Sequence, residues 1–161
     1  MSERVRVGLG IDLHAWGEDR PLFLGGVPFP DEPGLMGHSD GDAVCHALAD
    51  ALLGAAALGD IGEHFPDTDP AFEGISGLDL LGRVIEALAV SGLAPRSCDV
   101  TVLAERPRIA PHREEMRATL ARALGVALAD VSVKATRPEG LGLSGDGVGC
   151  FAVAVVGPAS G

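Results

Sequence analysis

The chain is organised around residues 38–69, which read HSDGDAVCHALADALLGAAALGDIGEHFPDTD. The middle of this stretch, about Gly41 to Leu58, predicts a helix because apolar residues recur there at helical spacing. Those apolar residues are Ala43, Val44, Ala47, Leu48, Ala51, Leu52 and Ala55. Asp40 or Ser39 is suited to accept a hydrogen bond from the first free backbone N–H groups of this helix.

Histidines, carboxylates and glycines crowd both ends of the predicted helix. His38, Asp42 and His46 are four residues apart, so Asp42 and His46 share one face and His38 lies at its entrance. An imidazole near a helix start, with carboxylates following in a glycine-rich loop, is typical of a site for a metal ion and a polyanion. A capped amphipathic helix with incidental polar ends explains the same stretch equally well.

The composition limits the class of protein. With 161 residues, 47% of them hydrophobic, we expect a single domain (1–161) with one sizeable core. The sequence lacks a run of about 18 apolar residues, and its N-terminus lacks an apolar signal core, so we expect a cytoplasmic location. The net charge of −11 argues against nucleic-acid binding. An anionic substrate would therefore need divalent cations to offset the charge locally.

Three cysteines, Cys45, Cys98 and Cys150, lie far apart in the sequence. Their odd number and the absence of a Cys-x-x-Cys motif argue against a disulfide framework and against a thiolate zinc site. We therefore interpret all three as small buried hydrophobic residues.

The remaining pattern predicts an α/β fold. Strands are predicted at Val5 to Leu13, Ser97 to Ala104, Val131 to Thr136 and Cys150 to Val156, with a short hairpin at Leu22 to Phe29. Further helices are predicted from Ser76 to Gly92 and from Pro111 to Gly125, and a long acidic loop from Gly59 to Gly74. This order predicts a two-layer α+β sandwich, with one mixed β-sheet and helices packed on one face.

Asp12, His14 and His46 form the strongest candidate metal site. Asp12 and His14 are two residues apart at the end of a predicted strand, so they point to the same face. One carboxylate and two imidazoles suit zinc, and three protein ligands leave a fourth tetrahedral position open for catalysis. A surface strand end and a satisfied core histidine would also explain these residues.

Two glycine motifs indicate other functions. Gly37 to Gly41 fits the G-x-S-x-G elbow of serine hydrolases, but the preceding residues read as a loop rather than the required strand. Gly140 to Gly145 fits G-x-G-x-x-G, but more glycine and an apolar strand follow instead of a helix. We therefore reject a dinucleotide site there, and a flexible loop or a subunit contact remains open.

Other charged residues are candidates for substrate contacts. Glu139 directly follows a predicted strand and can hold a hard cation such as Mg²⁺ between phosphates, although an exposed loop acid is the simpler interpretation. Arg106 and Arg108 flank Pro107 and can grip phosphate or remain solvated. An acidic loop that can accept hydrogen bonds from polyol hydroxyls, or simply be solvated, contains Asp60, Glu63, Asp67 and Asp69.

Three motifs together carry a family resemblance. They are Gly10-Ile11-Asp12-Leu13-His14, then His38-Ser39-Asp40-Gly41-Asp42 with His46, and Ala57-Leu58-Gly59-Asp60-Ile61-Gly62 followed by Phe65-Pro66-Asp67-Thr68-Asp69. With them, nearly the whole chain resembles the 2-C-methyl-D-erythritol 2,4-cyclodiphosphate synthases of the non-mevalonate isoprenoid route. The resemblance implies a homotrimer with active sites between neighbouring subunits around a central apolar cavity.

The resemblance also implies a reaction and its cofactors. The substrate would be 4-diphosphocytidyl-2-C-methyl-D-erythritol 2-phosphate, whose 2-phosphate attacks the β-phosphorus, expels CMP and closes the cyclic diphosphate. Zinc would be held by Asp12, His14 and His46. A second divalent ion, Mg²⁺ or Mn²⁺, would be held by Glu139 and phosphate oxygens. Such phosphoryl transfer needs positioning and charge neutralisation rather than a protein nucleophile.

Substrate contacts follow from the same resemblance. His38 and Ser39 would contact the phosphates, with His38 stabilising the transition state, and Asp12 and His14 would also face the substrate. The methylerythritol moiety would be bound by Asp60, Ile61, Gly62, Phe65, Pro66, Asp67, Thr68 and Asp69. The cytidine pocket would be formed by Ala104 to Ala110, among them Arg108 and Ile109, with Arg108 where the family commonly has a lysine that reaches the diphosphate. We also expect Asp42 to orient the ligand His46.

The chain departs from the family pattern near its C-terminus. The family usually has a Thr-Thr run before the glutamate; here Thr136 remains, but Arg137 and Pro138 follow it. The second threonine is the family's other transition-state stabiliser, and Arg137 could take over that role with its guanidinium on the phosphates. On this basis Thr136, Arg137, Pro138 and Glu139 would all contact the substrate.

Two further departures fall at the expected mouth of the trimer cavity. Leu143 and Asp146 stand where many members of the family have Phe and Arg. An acid at position 146 would disfavour an anionic isoprenoid diphosphate in that cavity. If the changes over residues 136–146 abolished turnover, a non-catalytic trimeric metal-binding module would remain as an alternative function.

Overall fold

The computed structural model describes residues 4–17, 19–142 and 145–160. Its β-strands are β1 (Arg6–Ala15), β2 (Phe23–Leu24), β3 (Val27–Pro28), β4 (Leu93–Leu103), β5 (Val131–Thr136) and β6 (Gly147–Pro158). Its α-helices are α1 (Ala43–Ala56), α2 (Ile61–His64), α3 (Gly77–Val90) and α4 (Arg113–Leu124). Among these residues, none of the helices has both the length and the apolar character that spanning a membrane requires.

The main sheet is mixed and carries its helices on one face, as the sequence predicts. Its strand order is β1–β6–β4–β5, with β6 antiparallel to both neighbours and β4 parallel to β5. Helix α1 packs on β1 and β6, α3 contacts β4, and α4 contacts β5. The other face of β1 and β6 is apolar and exposed, and it presents Val7, Leu9, Ile11, Leu13, Phe151 and Val153.

Two glycines let α1 lie directly against β1. Side chains alternate along a strand, so Gly8, Gly10, Asp12 and His14 all point toward the helix. A Cβ atom on Gly10 would overlap the carbonyl oxygen of Ala47, and one on Gly8 would meet the helix backbone in the same way. Because the two backbones touch, the first turn of α1 lies against the end of β1.

The start of α1 differs from the prediction. Asp42, rather than Asp40 or Ser39, is the N-cap, and its carboxylate accepts hydrogen bonds from two backbone N–H groups of the first turn. The same carboxylate also accepts the N–H groups of Gly25 and Gly26 in the β2–β3 turn, at 2.9 and 2.7 Å. Four backbone donors therefore converge on Asp42, which fastens the hairpin to the helix.

Several other boundaries also differ. The predicted acidic loop over residues 59–74 contains α2, capped by Asp60, and a 3₁₀ turn capped by Asp69. Strands β4 and β6 start earlier than predicted, at Leu93 and Gly147, because they pair with each other along most of their length. Ser76 caps α3 as predicted, since its hydroxyl accepts the N–H of residue 79.

The core between the sheet and the helices is made mainly of Ala, Val and Leu side chains. Cys45, Cys98 and Cys150 are free thiols within it, as predicted. Burial raises the pKa of Cys98 to about 12, with a smaller contribution from the charge of Asp99. Burial also raises the pKa of the other two thiols. All three therefore stay protonated at neutral pH and are unsuited to nucleophilic or metal-binding roles.

The substitution Gly10→Ala tests the close contact between β1 and α1. The added methyl group must push the strand and helix apart, so we expect a loss of about 1–3 kcal/mol in the free energy of unfolding. Gly54→Ala is the matched control, because a Cβ at this exposed position of α1 meets nothing within 4 Å. It should stabilise the chain by up to about 1 kcal/mol. Urea unfolding followed by circular dichroism measures both; equal stability of Gly10→Ala and the unmodified chain would contradict the account.

Candidate metal centre and substrate clefts

Asp12, His14 and His46 converge where the end of β1 meets the first turn of α1. Asp12 Oδ2 lies 2.6 Å from His14 Nε2 and 3.4 Å from His46 Nδ1. The two ring nitrogens are 3.2 Å apart. Within the described residues, this is the one group of three or more His, Cys, Asp or Glu side chains whose ligand atoms are close enough to hold a metal ion. The three residues can therefore bind a divalent cation.

Each of the two histidines bonds a neighbouring residue through one ring nitrogen, the outer one, and faces Asp12 with the other, the inner one. His14 Nδ1 lies 2.6 Å from the carbonyl oxygen of Met36, which can only accept, so Nδ1 carries the proton. His46 Nε2 lies 2.9 Å from Ser39 Oγ. The inner nitrogen His14 Nε2 is then left with a lone pair directed at Asp12, and His46 Nδ1 is in the same state when Ser39 Oγ accepts the Nε2 proton. This is the arrangement of two imidazole ligands held by partners on their outer nitrogens.

The electrostatics of the cluster agree with a cation-binding role. Burial acts to raise the pKa of Asp12, but hydrogen bonds from His14 and His46 outweigh it and hold that pKa below its usual value. Burial acts to lower the pKa of His14, but the hydrogen bond and charge of Asp12 outweigh it and raise that pKa. With the His14 ring neutral, His14 Nε2 gives Asp12 Oδ2 no hydrogen, so the 2.6 Å contact between these two atoms calls for a proton or a metal ion.

The prediction that Asp42 orients His46 is wrong. The Asp42 carboxylate is fully buried and is directed at backbone N–H groups, so its bond with His46 runs through the main chain, from His46 N to the Asp42 carbonyl oxygen. An N-cap side chain points at the free donors of its own helix turn rather than along the helix. Ser39 is instead the side chain that holds His46, a role that the sequence analysis missed.

The three side chains of Asp12, His14 and His46, called the metal cluster below, lie in a cleft of about 340 Å³. We call this cleft the first cleft. Predicted substrate residues that line it are His38, Ser39, Ile61, Gly62, Phe65, Pro66 and Asp67. Phe72, Ile75 and Leu80 line it as well and were not predicted. Helical spacing identifies Leu80 as a buried residue of α3, but nothing in the pattern separates a cleft-lining leucine from a core one.

Three predicted substrate residues, Asp60, Thr68 and Asp69, are not among the residues that line this cleft. Asp60 Oδ1 accepts the N–H of Glu63 and caps α2, at 2.9 Å. Asp69 caps the following 3₁₀ turn, and its carbonyl oxygen lies 3.2 Å from His38 Nε2. The contacts of Asp60 and Asp69 stabilise residues 59–74, and the role of all three residues in substrate binding stays a prediction.

A second cleft, of about 400 Å³, lies beyond the C-terminal ends of β4 and β5. The predicted substrate residues that line it are Ala104, Arg108, Ile109, Ala110, Thr136 and Arg137. Glu105 and Pro107, which fall within the predicted range Ala104 to Ala110, also line it, and so do Arg113 and Ala135, which were not predicted. Arg137 Nε lies 3.7 Å from Glu105 Oε2, which places the guanidinium at the wall of this cleft.

The remaining predicted residues lie outside both sets of lining residues. Pro138 and Glu139 form the turn after β5, and exposed Glu139 has φ 53°, which is uncommon for a residue other than glycine. The carbonyl oxygen of Asp146 accepts the N–H of Trp16 at 3.1 Å. Leu143 falls outside the described residues.

The two clefts lie toward opposite edges of the main sheet, the first at β1 and the second at the ends of β4 and β5. Asp12 pairs with Cys150 of β6, Cys150 pairs with Val102 of β4, and Val102 pairs with Ala135 of β5. Neighbouring strands are about 4.8 Å apart, so roughly 14 Å separates the backbones of Asp12 and Ala135. The metal cluster and the turn that carries Glu139 are therefore well separated within one chain.

The serine hydrolase interpretation of residues 37–41 fails in the structure. Leu35 makes one isolated bridge with Trp16, and no strand within the described residues leads into Ser39. Ser39 Oγ does lie 2.9 Å from His46 Nε2. The other ring nitrogen of His46 faces Asp12 in the predicted metal site, so this contact orients a metal ligand.

Comparison with known proteins identifies the family. A sequence model described as the YgbB family matches residues 5–157. The chain is 53% identical over 152 residues to the 2-C-methyl-D-erythritol 2,4-cyclodiphosphate synthase of Trichlorobacter lovleyi, which covers 94% of this chain and 97% of the relative. It is also similar to the bifunctional IspDF from Campylobacter jejuni, with TM-score 0.93 and 36% identity. That comparison covers 99% of this chain and 44% of the bifunctional one.

A second solved structure is that of a 2C-methyl-D-erythritol-2,4-cyclodiphosphate synthase in its CDP-bound form, with TM-score 0.87 and 36% identity over 94% of this chain and 99% of the other. The fold and its Asp-His cluster thus place the chain among enzymes that form a cyclic diphosphate in isoprenoid biosynthesis. The chain belongs to the YgbB family, and its curated relatives at about this identity include several 2-C-methyl-D-erythritol 2,4-cyclodiphosphate synthases. The family and enzyme class predicted from the sequence are confirmed.

Proposed function

We propose that the chain is a zinc-dependent enzyme that converts 4-diphosphocytidyl-2-C-methyl-D-erythritol 2-phosphate to 2-C-methyl-D-erythritol 2,4-cyclodiphosphate and releases CMP. The observation that carries the proposal is the convergence of Asp12, His14 and His46 inside a cleft of a YgbB-family chain. A cytoplasmic location stays a prediction from the sequence.

Zinc is the ion that best fits the donor set. Two imidazole nitrogens and one carboxylate oxygen are typical of catalytic zinc sites, which keep one coordination position open for the substrate. Bound there, zinc would polarise the β-phosphate and supply positive charge. The chain has a net charge of −11, so a bound cation would add to the few arginines available to offset a substrate with several phosphates.

The first cleft suits the methylerythritol phosphate part of the substrate. His38 and Ser39 lie beside the metal cluster, where their side chains can contact the phosphates. His38 can donate a hydrogen bond to charge that develops during phosphoryl transfer. Asp67 and the backbone of residues 61–62 can form hydrogen bonds with the hydroxyl groups of the substrate, while apolar Phe65 and Phe72 can pack against its carbon skeleton.

The second cleft suits the cytidine diphosphate part. Residues 104–105 and 107–110 line it, and Arg108 is placed to contact the diphosphate. The CDP-bound form of a related synthase with the same fold supports a cytidine nucleotide as its ligand. Exposed Glu139 stands on the adjoining turn and would hold Mg²⁺ or Mn²⁺ together with phosphate oxygens.

A homotrimer would bring the first cleft of one subunit next to the second cleft of its neighbour. Roughly 14 Å of sheet lies between the metal cluster and the second cleft of the same chain, which supports an active site completed by a neighbouring subunit. The exposed apolar face of β1 and β6 is suited to line the centre of the assembly, because a free monomer rarely leaves such a face in water. Exposed Asp146 would disfavour an anionic isoprenoid diphosphate at the mouth of that cavity.

The direct test supplies the substrate with zinc and magnesium and follows CMP and the cyclic product. We expect chelation to abolish CMP release and added zinc to restore it. Asp12→Ala and His46→Ala should each lose bound zinc and at least about a hundredfold in rate, while circular dichroism shows a folded chain. Retained zinc stoichiometry in both variants would contradict the ligand assignment.

His64→Ala is the matched control for His46→Ala. His64 Nε2 lies 2.8 Å from the carbonyl oxygen of Leu58 and belongs to the same segment of chain, but it lies outside the metal cluster. This variant should keep one zinc ion per chain. An unmodified chain that binds zinc and CDP but releases no CMP would instead support the non-catalytic module.

The substitution Ile11→Glu tests the trimer. Ile11 is 46% exposed at the centre of the apolar face, and a buried carboxylate in each subunit would repel the others. We expect sedimentation to show trimers of the unmodified chain and monomers of the variant. Val90→Glu is the control, because Val90 is 91% exposed on α3 and should leave the assembly intact. A monomeric unmodified chain would overturn the proposal.

The substitution Arg137→Ala tests whether this arginine replaces the family's threonine. If its guanidinium contacts the phosphates in the transition state, the rate of CMP release should fall by about a hundredfold. Arg137→Thr restores the usual residue and should keep most of the activity. Arg122→Ala is the control, because Arg122 bonds Thr119 on the same helix. An unchanged rate for Arg137→Ala would show that the side chain points away from the reaction.

A further inference from the structure

Arg20 forms a two-pronged contact with the segment that carries His38. Its Nη1 donates to the carbonyl oxygen of Gly37 at 2.9 Å, and its Nη2 donates to the carbonyl oxygen of Ser39. The two carbonyls belong to the residues on either side of His38. One guanidinium therefore holds the backbone immediately before and immediately after this histidine.

Other contacts hold the same segment from the opposite side. The carbonyl oxygen of His38 accepts the N–H of Gly74 at 2.9 Å, and the N–H of Asp40 donates to the carbonyl oxygen of Ile75 at 3.1 Å. His38 Nε2 also lies 3.2 Å from the carbonyl oxygen of Asp69. The His38 segment is thus fixed between Arg20 and residues 69–75, so removing Arg20 would free one side of it.

The stem of Arg20 is itself packed. Gly34 leaves no room for a Cβ atom, because one would overlap the carbonyl oxygen and Cγ of Arg20. The N–H of Gly17 donates to the carbonyl oxygen of Gly34 at 2.6 Å, which ties this loop back to the end of β1. The backbone and the first part of the side chain of Arg20 are therefore held in place, and this fixes the position from which the guanidinium contacts the His38 segment.

Arg20 does not line the first cleft. It borders a separate groove together with Trp16, Gly17, Met36 and Gly37. A residue on that side of the His38 segment is suited to hold the segment from behind, since the side chains of His38 and Ser39 line the cleft on the other side.

We propose that Arg20 is a positioning residue that holds His38 and Ser39 in the geometry needed for phosphoryl transfer, without touching the substrate. This inference rests on the proposed function. Since Ser39 Oγ also holds His46, the same clamp steadies the outer nitrogen of one metal ligand. The planar fork of a guanidinium can reach two carbonyls at once, which the single ammonium of lysine does less well.

The experiment compares Arg20→Ala and Arg20→Lys with the unmodified chain. Displacement of a transition-state group by about 1 Å costs on the order of a hundredfold in rate, so kcat for CMP release should fall tenfold to a hundredfold in Arg20→Ala, and KM should change less than about threefold. The kcat of Arg20→Lys should lie between the kcat of Arg20→Ala and that of the unmodified chain. Guanidinium ion at about 10 mM should restore part of the kcat of Arg20→Ala.

Arg96→Ala is the matched control. Arg96 Nη2 likewise donates to a backbone carbonyl, that of Pro158, far along β6 from the metal cluster. This variant should keep its kcat and show no response to guanidinium ion. An Arg20→Ala variant with kcat within twofold of the unmodified chain, or with a change confined to KM, would overturn the proposal.

A second readout does not depend on turnover. Hydrogen exchange at the amide of Asp40 should be faster in Arg20→Ala than in the unmodified chain and unchanged in Arg96→Ala. If the unmodified chain releases no CMP, the proposed reaction fails, but faster exchange at this amide would still support the clamp. Equal exchange rates in all three proteins would overturn it.

Discussion

The close contact between the backbones of β1 and α1 is the constraint on which the site depends. Gly8 and Gly10 leave no side chains between strand and helix, so the helix lies as near to the strand as backbone atoms allow. Asp12 and His14 continue the same face of β1 just where the helix begins. The metal cluster therefore lies on the same face of β1 as the two glycines. Glycine allows the backbones to touch along the helix, and at its start the strand carries the ligands Asp12 and His14 instead.

The donor atoms at this point favour a bound cation. The Met36 carbonyl holds the proton of His14 on its outer nitrogen, so the inner nitrogen directs a lone pair at the Asp12 carboxylate, and His46 Nδ1 lies beside the same carboxylate. Such a contact is repulsive unless a proton or a cation lies within it. In an acidic chain of a family that forms a cyclic diphosphate, a divalent cation would offset the negative charge of both the protein and the substrate.

Much of the fold and part of the site follow from periodicity alone. The twofold spacing of Asp12 and His14 and the helical spacing after Asp42 predict elements that the structure contains. Side-chain partners were harder to predict, because three polar residues within four positions (Ser39, Asp40 and Asp42) are all good helix caps. The hairpin turn, distant in sequence, supplies the two additional N–H groups that select Asp42. The roles of Ser39 and Arg20 likewise depend on tertiary contacts that no local pattern contains.

The central claim is that Asp12, His14 and His46 hold one zinc ion. Crystals grown with zinc and measured on both sides of the zinc absorption edge test it most directly. The account predicts one anomalous peak about 2.0–2.2 Å from Asp12 Oδ2, His14 Nε2 and His46 Nδ1. A peak at other residues, or none between these three atoms at saturating zinc, would contradict it.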